Sequence, residues 1–362
     1  MKKNDIKYMS LSLDLAKKGI NTCMPNPRVG CVIVKDDTVI GQGWHNQTGQ
    51  SHAEVMALND AGENAVNSTV YITLEPCTHT GNTPPCVNAL IEAKVKKVFF
   101  AMNDPNPKVF GNSKELLQSS GIEVENGLLE NESKEINLGF LKRMNKGVPF
   151  IRTKIAASLD GRTALKNGKS QWITSEESRK DVQKYRARSC GILTSISTIL
   201  ADNPSLNVRL NNFKNEHQPK RIILDSNLRI VGDENILKLP GEKYIYSLKK
   251  DHNESQIRNI IRTTKEIEGR VSLLDVIKDL GVEEMNEILI EAGSILNGAF
   301  LKQNLIDEIV LYLAPCFLGD KARGIFDLPI LHEMSEKYNF KINDIDQIGP
   351  DIKVILRKIE NV

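Results

Sequence analysis

Apolar residues recur along this chain with two different periods. Near the start, Ile6, Met9, Leu13 and Ala16 fall three or four positions apart, which is the spacing of one helix face. Gly19 predicts where that helix stops. Compact apolar runs then alternate with helical stretches. The rigid Pro25-Asn26-Pro27-Arg28 turn leads into a strand over 29–34. Asp36-Asp37 reverses the chain into a partner strand over 38–43, making a hairpin. The pattern continues with a helix over 52–61, a strand over 68–74, a helix over 87–93 and a strand over 95–101. Strands alternating with helices predict a layered α/β domain with a largely buried sheet.

A polar, helical stretch over 127–145 closes this half, and Pro149 opens a new strand over 150–156. The boundary is expected near Lys146, giving domains 1–146 and 147–362. In the second half Asp160-Gly161-Arg162 is a turn signal. Thr174 with Glu177 has the capping-box spacing, ahead of a helix reaching about residue 189. Further strands are expected at 191–195, 221–225 and 287–290. The last feeds Glu291-Ala292-Gly293-Ser294 and a helix containing Gly298. A glycine turn between strand and helix can bring backbone N–H groups against a phosphate. No internal repeat is visible.

Composition narrows the class. A chain of 362 residues exceeds one typical domain and suggests two. Its 40% hydrophobic and 26% charged residues are those of a soluble globular protein. A net charge of +2 favours neither a nucleic-acid partner nor a membrane surface. No segment approaches the roughly 18 apolar residues of a membrane span, and the first residues lack the apolar core of a signal peptide. Cys23, Cys31, Cys190 and Cys316 are scattered and read as small buried residues rather than a disulfide framework. A cytoplasmic enzyme is the expectation.

Chemistry concentrates in His52-Ala53-Glu54 and in the stretch from Thr73 to Cys86. His52, Cys77 and Cys86 offer nitrogen and sulfur ligands for a tetrahedral zinc whose fourth position stays open for water. Glu54 remains for proton transfer. Pro84-Pro85 precedes Cys86, so its thiol is expected at a helix N-terminus, where the thiolate is favoured. Two other readings of these residues are a closed zinc site with His79 or His45 as fourth ligand, and reduced cysteines without metal. An H-x-E followed by P-C-x-x-C marks the zinc deaminases. Here eight residues separate Cys77 from Cys86 instead of two.

That longer loop, with Thr73-Leu74-Glu75-Pro76-Cys77 and Thr83-Pro84-Pro85-Cys86, resembles the deaminase half of the bifunctional deaminase/reductases of riboflavin biosynthesis. Pro25-Asn26-Pro27-Arg28-Val29-Gly30 and Asn103-Asp104-Pro105-Asn106-Pro107 match as well. In the second half, the run from Thr153 to Arg162, Ser170-Gln171-Trp172-Ile173-Thr174, Leu200-Ala201-Asp202-Asn203-Pro204, Glu291-Ala292-Gly293 and Gly349-Pro350-Asp351 resemble the reductase half, in the family's order. The resemblance implies an N-terminal, three-layer, cytidine-deaminase-like domain and a C-terminal domain similar to dihydrofolate reductase. It also implies one zinc, NADPH and a small phosphorylated pyrimidine substrate, which is deaminated and then reduced at its ribosyl chain. A homo-oligomer is expected by the same analogy.

Residue by residue, the resemblance implies that Asn26 and His45 contact the pyrimidine. Ala156, Trp172, Thr198, Asp202, Ser226 and the turn Gly293, Ser294, Ile295, Leu296, Asn297, Gly298, Ala299 would line the NADPH site. Lys154, Ser170, Thr174, Arg186, Leu206, Arg209 and Glu291 would contact the substrate, the two arginines as planar, charge-assisted phosphate partners. Without the resemblance Arg186 reads as an exposed residue of an amphipathic helix. Asn82 stands where the family's pattern has a basic residue. Two further functions stay open: a nucleic-acid or nucleoside deaminase with an unrelated second domain, and a zinc-stabilised binding module without catalysis.

Overall fold

A computed structural model describes residues 3–78, 84–106, 111–211, 213, 218–250, 257 and 260–359. The chain divides into two units, Met1–Val148 and Pro149–Val362. In the first, α1 (Lys3–Lys18) precedes the hairpin β1 (Gly30–Lys35) and β2 (Thr38–Trp44). α2 (Ala53–Ala61), β3 (Thr69–Leu74), α3 (Cys86–Glu92), β4 (Lys97–Met102), α4 (Asn112–Ser119), β5 (Glu123–Asn126), α5 (Glu130–Ile136) and α6 (Leu138–Lys146) follow. The sheet order is β2-β1-β3-β4-β5, antiparallel on both sides of β1 and parallel from β3 to β5.

The central strands are apolar on both faces because helices cover both. Cys31, Ile33, Val70, Ile72, Val98 and Phe100 pack with Ala53, Ala57, Val87, Leu90 and Leu117 of α2, α3 and α4. The alternate residues Val32, Val34, Tyr71, Phe99 and Ala101 pack with Tyr8, Met9 and Leu15 of α1. This period-two division makes three layers. Glycine brings α2 onto the sheet: a Cβ on Gly43 would lie 2.2 Å from the Ala53 carbonyl oxygen.

The second unit contains β6 (Phe150–Ser158), β7 (Arg162–Ala164), α7 (Glu176–Arg188), β8 (Gly191–Ser195), α8 (Ile196–Asp202), β9 (Lys220–Leu224), α9 (Asn235–Lys238), β10 (Lys243–Ser247) and β11 (Ile261–Thr263). The short hairpin β12 (Glu266–Ile267) and β13 (Arg270–Val271) follows, then α10 (Leu273–Val282), β14 (Glu287–Ile290), α11 (Ser294–Lys302), β15 (Glu308–Ala314), β16 (Arg323–Gly324), β17 (Phe340–Ile348) and β18 (Asp351–Lys358). Nine strands form one sheet in the order β11-β10-β9-β8-β14-β6-β15-β18-β17. All pairings from β11 to β15 are parallel, and β18 and β17 close the edge antiparallel.

Two expectations need correction. The cap of α7 is Ser175, not Thr174: its hydroxyl accepts the Ser178 N–H at 3.2 Å, while Asp351 accepts the Ser175 N–H at 2.8 Å and the Ser178 hydroxyl at 2.6 Å. That carboxylate arrives from a strand 176 residues away, so local spacing could not reveal it. Cys23 and Cys31 are buried, but Cys190 and Cys316 are partly exposed.

Candidate active sites

In the first unit, three element ends meet at one edge of the sheet. His52 is the extended residue capping α2, Cys77 follows β3, and Cys86 opens α3 behind the N-cap Pro85. The Val87 N–H donates to the Cys77 carbonyl at 3.3 Å, and the Cys86 N–H lies 3.3 Å from the Cys77 sulfur. His52 Nδ1 stands 3.2 Å from Cys86 Sγ and 3.6 Å from Cys77 Sγ, and all three donor atoms lie within 4.8 Å of one another. A tetrahedral zinc with ordinary bond lengths requires nitrogen–sulfur edges of about 3.6 Å. The donors therefore fit one ion. Among the described residues, the metal-capable cluster holds these three alone. His79 and Asn82 lie outside the described residues.

Electrostatics single out Glu54, which is buried in the first turn of α2. Burial and then the neighbouring Cys77 charge push its carboxyl up to about 7, against the opposing influence of His52. Cys77 is held down at about 4, chiefly by its hydrogen bond with Cys86, and that bond with burial holds the Cys86 proton tightly. A bound cation would take both thiols as thiolates.

The structure brings Asn26 and His45 to this cluster. The Asn26 side-chain nitrogen lies 3.0 Å from His45 Nε2, and the His45 ring meets His52 edge-on at 5.4 Å between centroids. Because His45 Nδ1 lies 3.3 Å from the Ser51 carbonyl, that nitrogen carries the proton. Nε2 then accepts from the amide, leaving Asn26 Oδ1 for another donor. Burial lowers the His45 pKa, which keeps the ring neutral. Asp104, part of the run from Asn103 to Pro107 that carries the resemblance, is also buried. Burial raises its carboxyl to about 6, and the charges of Glu75 and Cys77 push the same way.

In the second unit a cavity of about 1830 Å³ opens outside the carboxyl ends of β8, β9 and β14, where open parallel sheets bind ligands. It is lined by every residue expected there except Gly298: Lys154, Ala156, Ser170, Trp172, Thr174, Arg186, Thr198, Asp202, Leu206, Arg209, Ser226, Glu291, Gly293, Ser294, Ile295, Leu296, Asn297 and Ala299. Gly298 instead packs against the chain at Asp327, where a Cβ would lie 2.2 Å from the carbonyl oxygen. At Gly293 a Cβ would meet nothing within 4 Å, so the turn before α11 presents bare backbone to the cavity. That suits a phosphate-bearing cofactor.

Glu291 organises one side of this cavity. Arg186 grips it through Nε and Nη2 at 2.6 and 2.9 Å, and Lys154 stands 3.5 Å away. Burial alone would raise the Glu291 carboxyl, but Arg186 and Lys154 overcome it and hold it at about 2. Arg186 is itself buried, against its local reading as an exposed helix residue, and its Nη1 donates to the Asn207 carbonyl at 2.9 Å. Arg209 is exposed, and its Nη1 donates to Asn207 Oδ1 at 3.3 Å. Arg179, which stacks 4.6 Å over the Trp172 ring, and Arg229 also line the cavity. Neither carries a local signal that separates it from a surface arginine.

Residues 149–354 match the family model described as the RibD C-terminal domain, and residues 2–102 match the zinc-binding region of cytidine and deoxycytidylate deaminases. The chain is 45% identical to the riboflavin biosynthesis protein RibD of Escherichia coli K12, over 96% of this chain and 98% of that protein. A solved Acinetobacter baumannii RibD is similar with a TM-score of 0.92 at 42% identity, covering 99% of each chain. The deaminase/reductase of Thermotoga maritima is similar with a TM-score of 0.89 at 30% identity, over 98% of this chain and 99% of that one.

Proposed function

Because the chain belongs to the bifunctional deaminase/reductase family of riboflavin biosynthesis, we propose that its two sites divide the family's two reactions as follows. The enzyme deaminates 2,5-diamino-6-(5-phosphoribosylamino)pyrimidin-4(3H)-one to 5-amino-6-(5-phosphoribosylamino)uracil, then reduces the ribosyl chain to give 5-amino-6-(5-phosphoribitylamino)uracil, using zinc and NADPH. The deaminase domain is assigned to 1–146 and the reductase domain to 147–362, supported by the division of the chain after Val148. With the RibD-type second domain present, an unrelated C-terminal partner or a purely structural zinc module no longer describes this chain.

His52, Cys77 and Cys86 hold the zinc, which when bound supplies a Lewis acid that makes water nucleophilic near neutral pH. Glu54 takes the proton of the attacking water and returns one to the departing amino nitrogen. A carboxyl whose burial makes it hold a proton more readily than usual suits both directions of that transfer. Asn26, oriented by His45, accepts from the pyrimidine through Oδ1. The observation that carries this assignment is the buried carboxylate set beside three metal-capable donors.

In the reductase domain NADPH, when bound, supplies the hydride. Ala156, Trp172, Thr198, Asp202, Ser226 and the 293–299 turn hold the cofactor, the turn by its backbone N–H groups. Arg209 takes the substrate phosphate. Arg186 serves it indirectly, since its guanidinium is committed to Glu291. Glu291 and Lys154 orient the ribosyl hydroxyls, and Ser170, Thr174 and Leu206 complete that wall.

The enzyme acts on small molecules, without nucleic acid, in the cytoplasm. Its +2 charge supports the small-molecule reading. Among the described residues no helix is long and apolar enough to cross a membrane. It assembles as a homo-oligomer. The open edge of β17, with Ile342 and Ile345 exposed, supports that reading.

Glu54→Gln tests the assignment. Zinc content is expected to be unchanged, ammonia release to fall by at least about a hundredfold, and NADPH oxidation on the deaminated intermediate to persist. Normal ammonia release would remove Glu54 from its role.

A further inference from the structure

Glu75 sits two residues before Cys77, yet its carboxylate turns away from the metal-capable donors and is almost completely buried. Its hydrogen bonds all come from elsewhere in the chain. Oε2 accepts the Asp104 N–H at 3.2 Å and the Gly111 N–H at 3.3 Å, and Oε1 accepts the Ser113 hydroxyl at 2.6 Å. Asp104 leaves the carboxyl end of β4, while Gly111 and Ser113 begin α4. The Glu75 backbone N–H meanwhile donates to Met102 at 2.9 Å, continuing the parallel ladder of β3 and β4 beyond its last paired residues. One side chain therefore ties three elements together at the edge of the sheet where Cys77 stands.

We propose that Glu75 is a positioning residue of the deaminase site, fixing the segment from Asp104 to Asn106 as a wall that the pyrimidine meets beside Cys77. This rests on the deaminase reading of the first unit. The segment occupies the carboxyl end of a strand parallel and adjacent to the one that leads to Cys77, which is where ligands of such sheets bind. Asp104 is buried close enough to Cys77 for their charges to interact. A turn of this kind has no ladder to hold it once β4 ends. Asp104 fixes its own shape by accepting the Asn106 N–H at 2.8 Å, and Glu75 helps to fix where that shape stands. All three partners of Glu75 donate, so the role needs acceptors at these positions and does not need proton transfer.

That distinction gives the test. In Glu75→Ala the zinc ligands are untouched, so zinc content should stay at the wild-type value. NADPH oxidation on the deaminated intermediate should also stay unchanged. The KM for the pyrimidine phosphate in ammonia release should rise about tenfold or more, with kcat changing less, as expected when binding surface rather than chemistry is lost. Glu75→Gln should rescue KM to within about threefold. Its amide oxygen can accept both N–H groups while its amide nitrogen donates to Ser113 Oγ, whose hydroxyl can reverse. Ser113→Ala removes one bond outside the ligand loop and should raise KM about threefold, which keeps the test decisive if Glu75→Ala does not fold. A wild-type KM in Glu75→Ala or in Ser113→Ala would overturn the inference. So would loss of zinc in parallel with activity, or a Gln variant as impaired as the Ala variant. A wild-type enzyme that binds zinc but releases no ammonia would instead overturn the deaminase reading on which the inference stands.

Discussion

Replacing Glu291 by Gln isolates the charge at the centre of the reductase cavity. The carboxylate is only 8% exposed, held by Arg186 at 2.6 and 2.9 Å and by Lys154 at 3.5 Å. Its pKa stands at about 2 against an ordinary 4.5. A shift of about 2.5 units, at about 1.4 kcal/mol each, makes the ionised form worth about 3 kcal/mol to the folded state. Because the folded pKa is depressed, this stability is complete above the unfolded value near 4.5. It drains away as pH falls from there toward 2. By pH 3 less than half of it remains. Glu291→Gln should therefore destabilise the reductase domain by about 3 kcal/mol at pH 7, in line with the cost of breaking a buried ion pair. The gap from wild type should narrow by about 2 kcal/mol at pH 3. Urea denaturation followed by hydrogen-exchange mass spectrometry of β14 and α7 peptides reads this domain separately. A gap below about 1 kcal/mol at pH 7, or one that does not change between pH 7 and pH 3, would refute the electrostatic account.

Other expectations follow from the same geometry. Cys86→Ser or chelation of zinc should abolish ammonia release and leave NADPH oxidation on the deaminated intermediate intact, as followed at about 340 nm, since NADPH carries the redox chemistry. Arg209→Ala should raise the reductase KM for phosphorylated substrate at least about tenfold while leaving the affinity for NADPH, measured by calorimetry, within about twofold. Gly43→Ala places a Cβ 2.2 Å from the Ala53 oxygen. It should lower deaminase-domain stability by about 1–3 kcal/mol and reduce ammonia release more than reduction, because α2 carries both His52 and Glu54.

How far the chain could be read in advance differed between the two halves. In the first, apolar runs and helix spacing marked α1, β1, α2, β3 and β4 to within a few residues. The central strands are covered on both faces, and a doubly covered strand is apolar along its length. The candidate metal donors were visible because metal chemistry needs particular residue types near element ends. In the second half β15 and β18 went unmarked, although Glu308–Ala314 is as apolar as β3. The cavity-lining residues there come from many separate segments, with no local pattern linking them. Their grouping was accessible through family resemblance alone.

What the sequence determined by itself was the class of chemistry: three soft or borderline metal donors, a spare carboxylate, and a loop length shared with one family. Residue type and spacing suffice for that, because a metal selects its donors by kind. Only the tertiary structure decided how each group is used. Arg186 looks like a surface arginine in sequence, but α7 packs it onto Glu291, so it steadies a carboxylate while exposed Arg209 faces the cavity. Gly298 looks like part of a cofactor turn, but the rotation of α11 presses it against Asp327. Glu75 looks like a companion of Cys77, but its acceptors are claimed by donors 29, 36 and 38 residues further on. Burial and hydrogen-bond partners are set by which segments the fold brings together, and over such separations local spacing does not encode them.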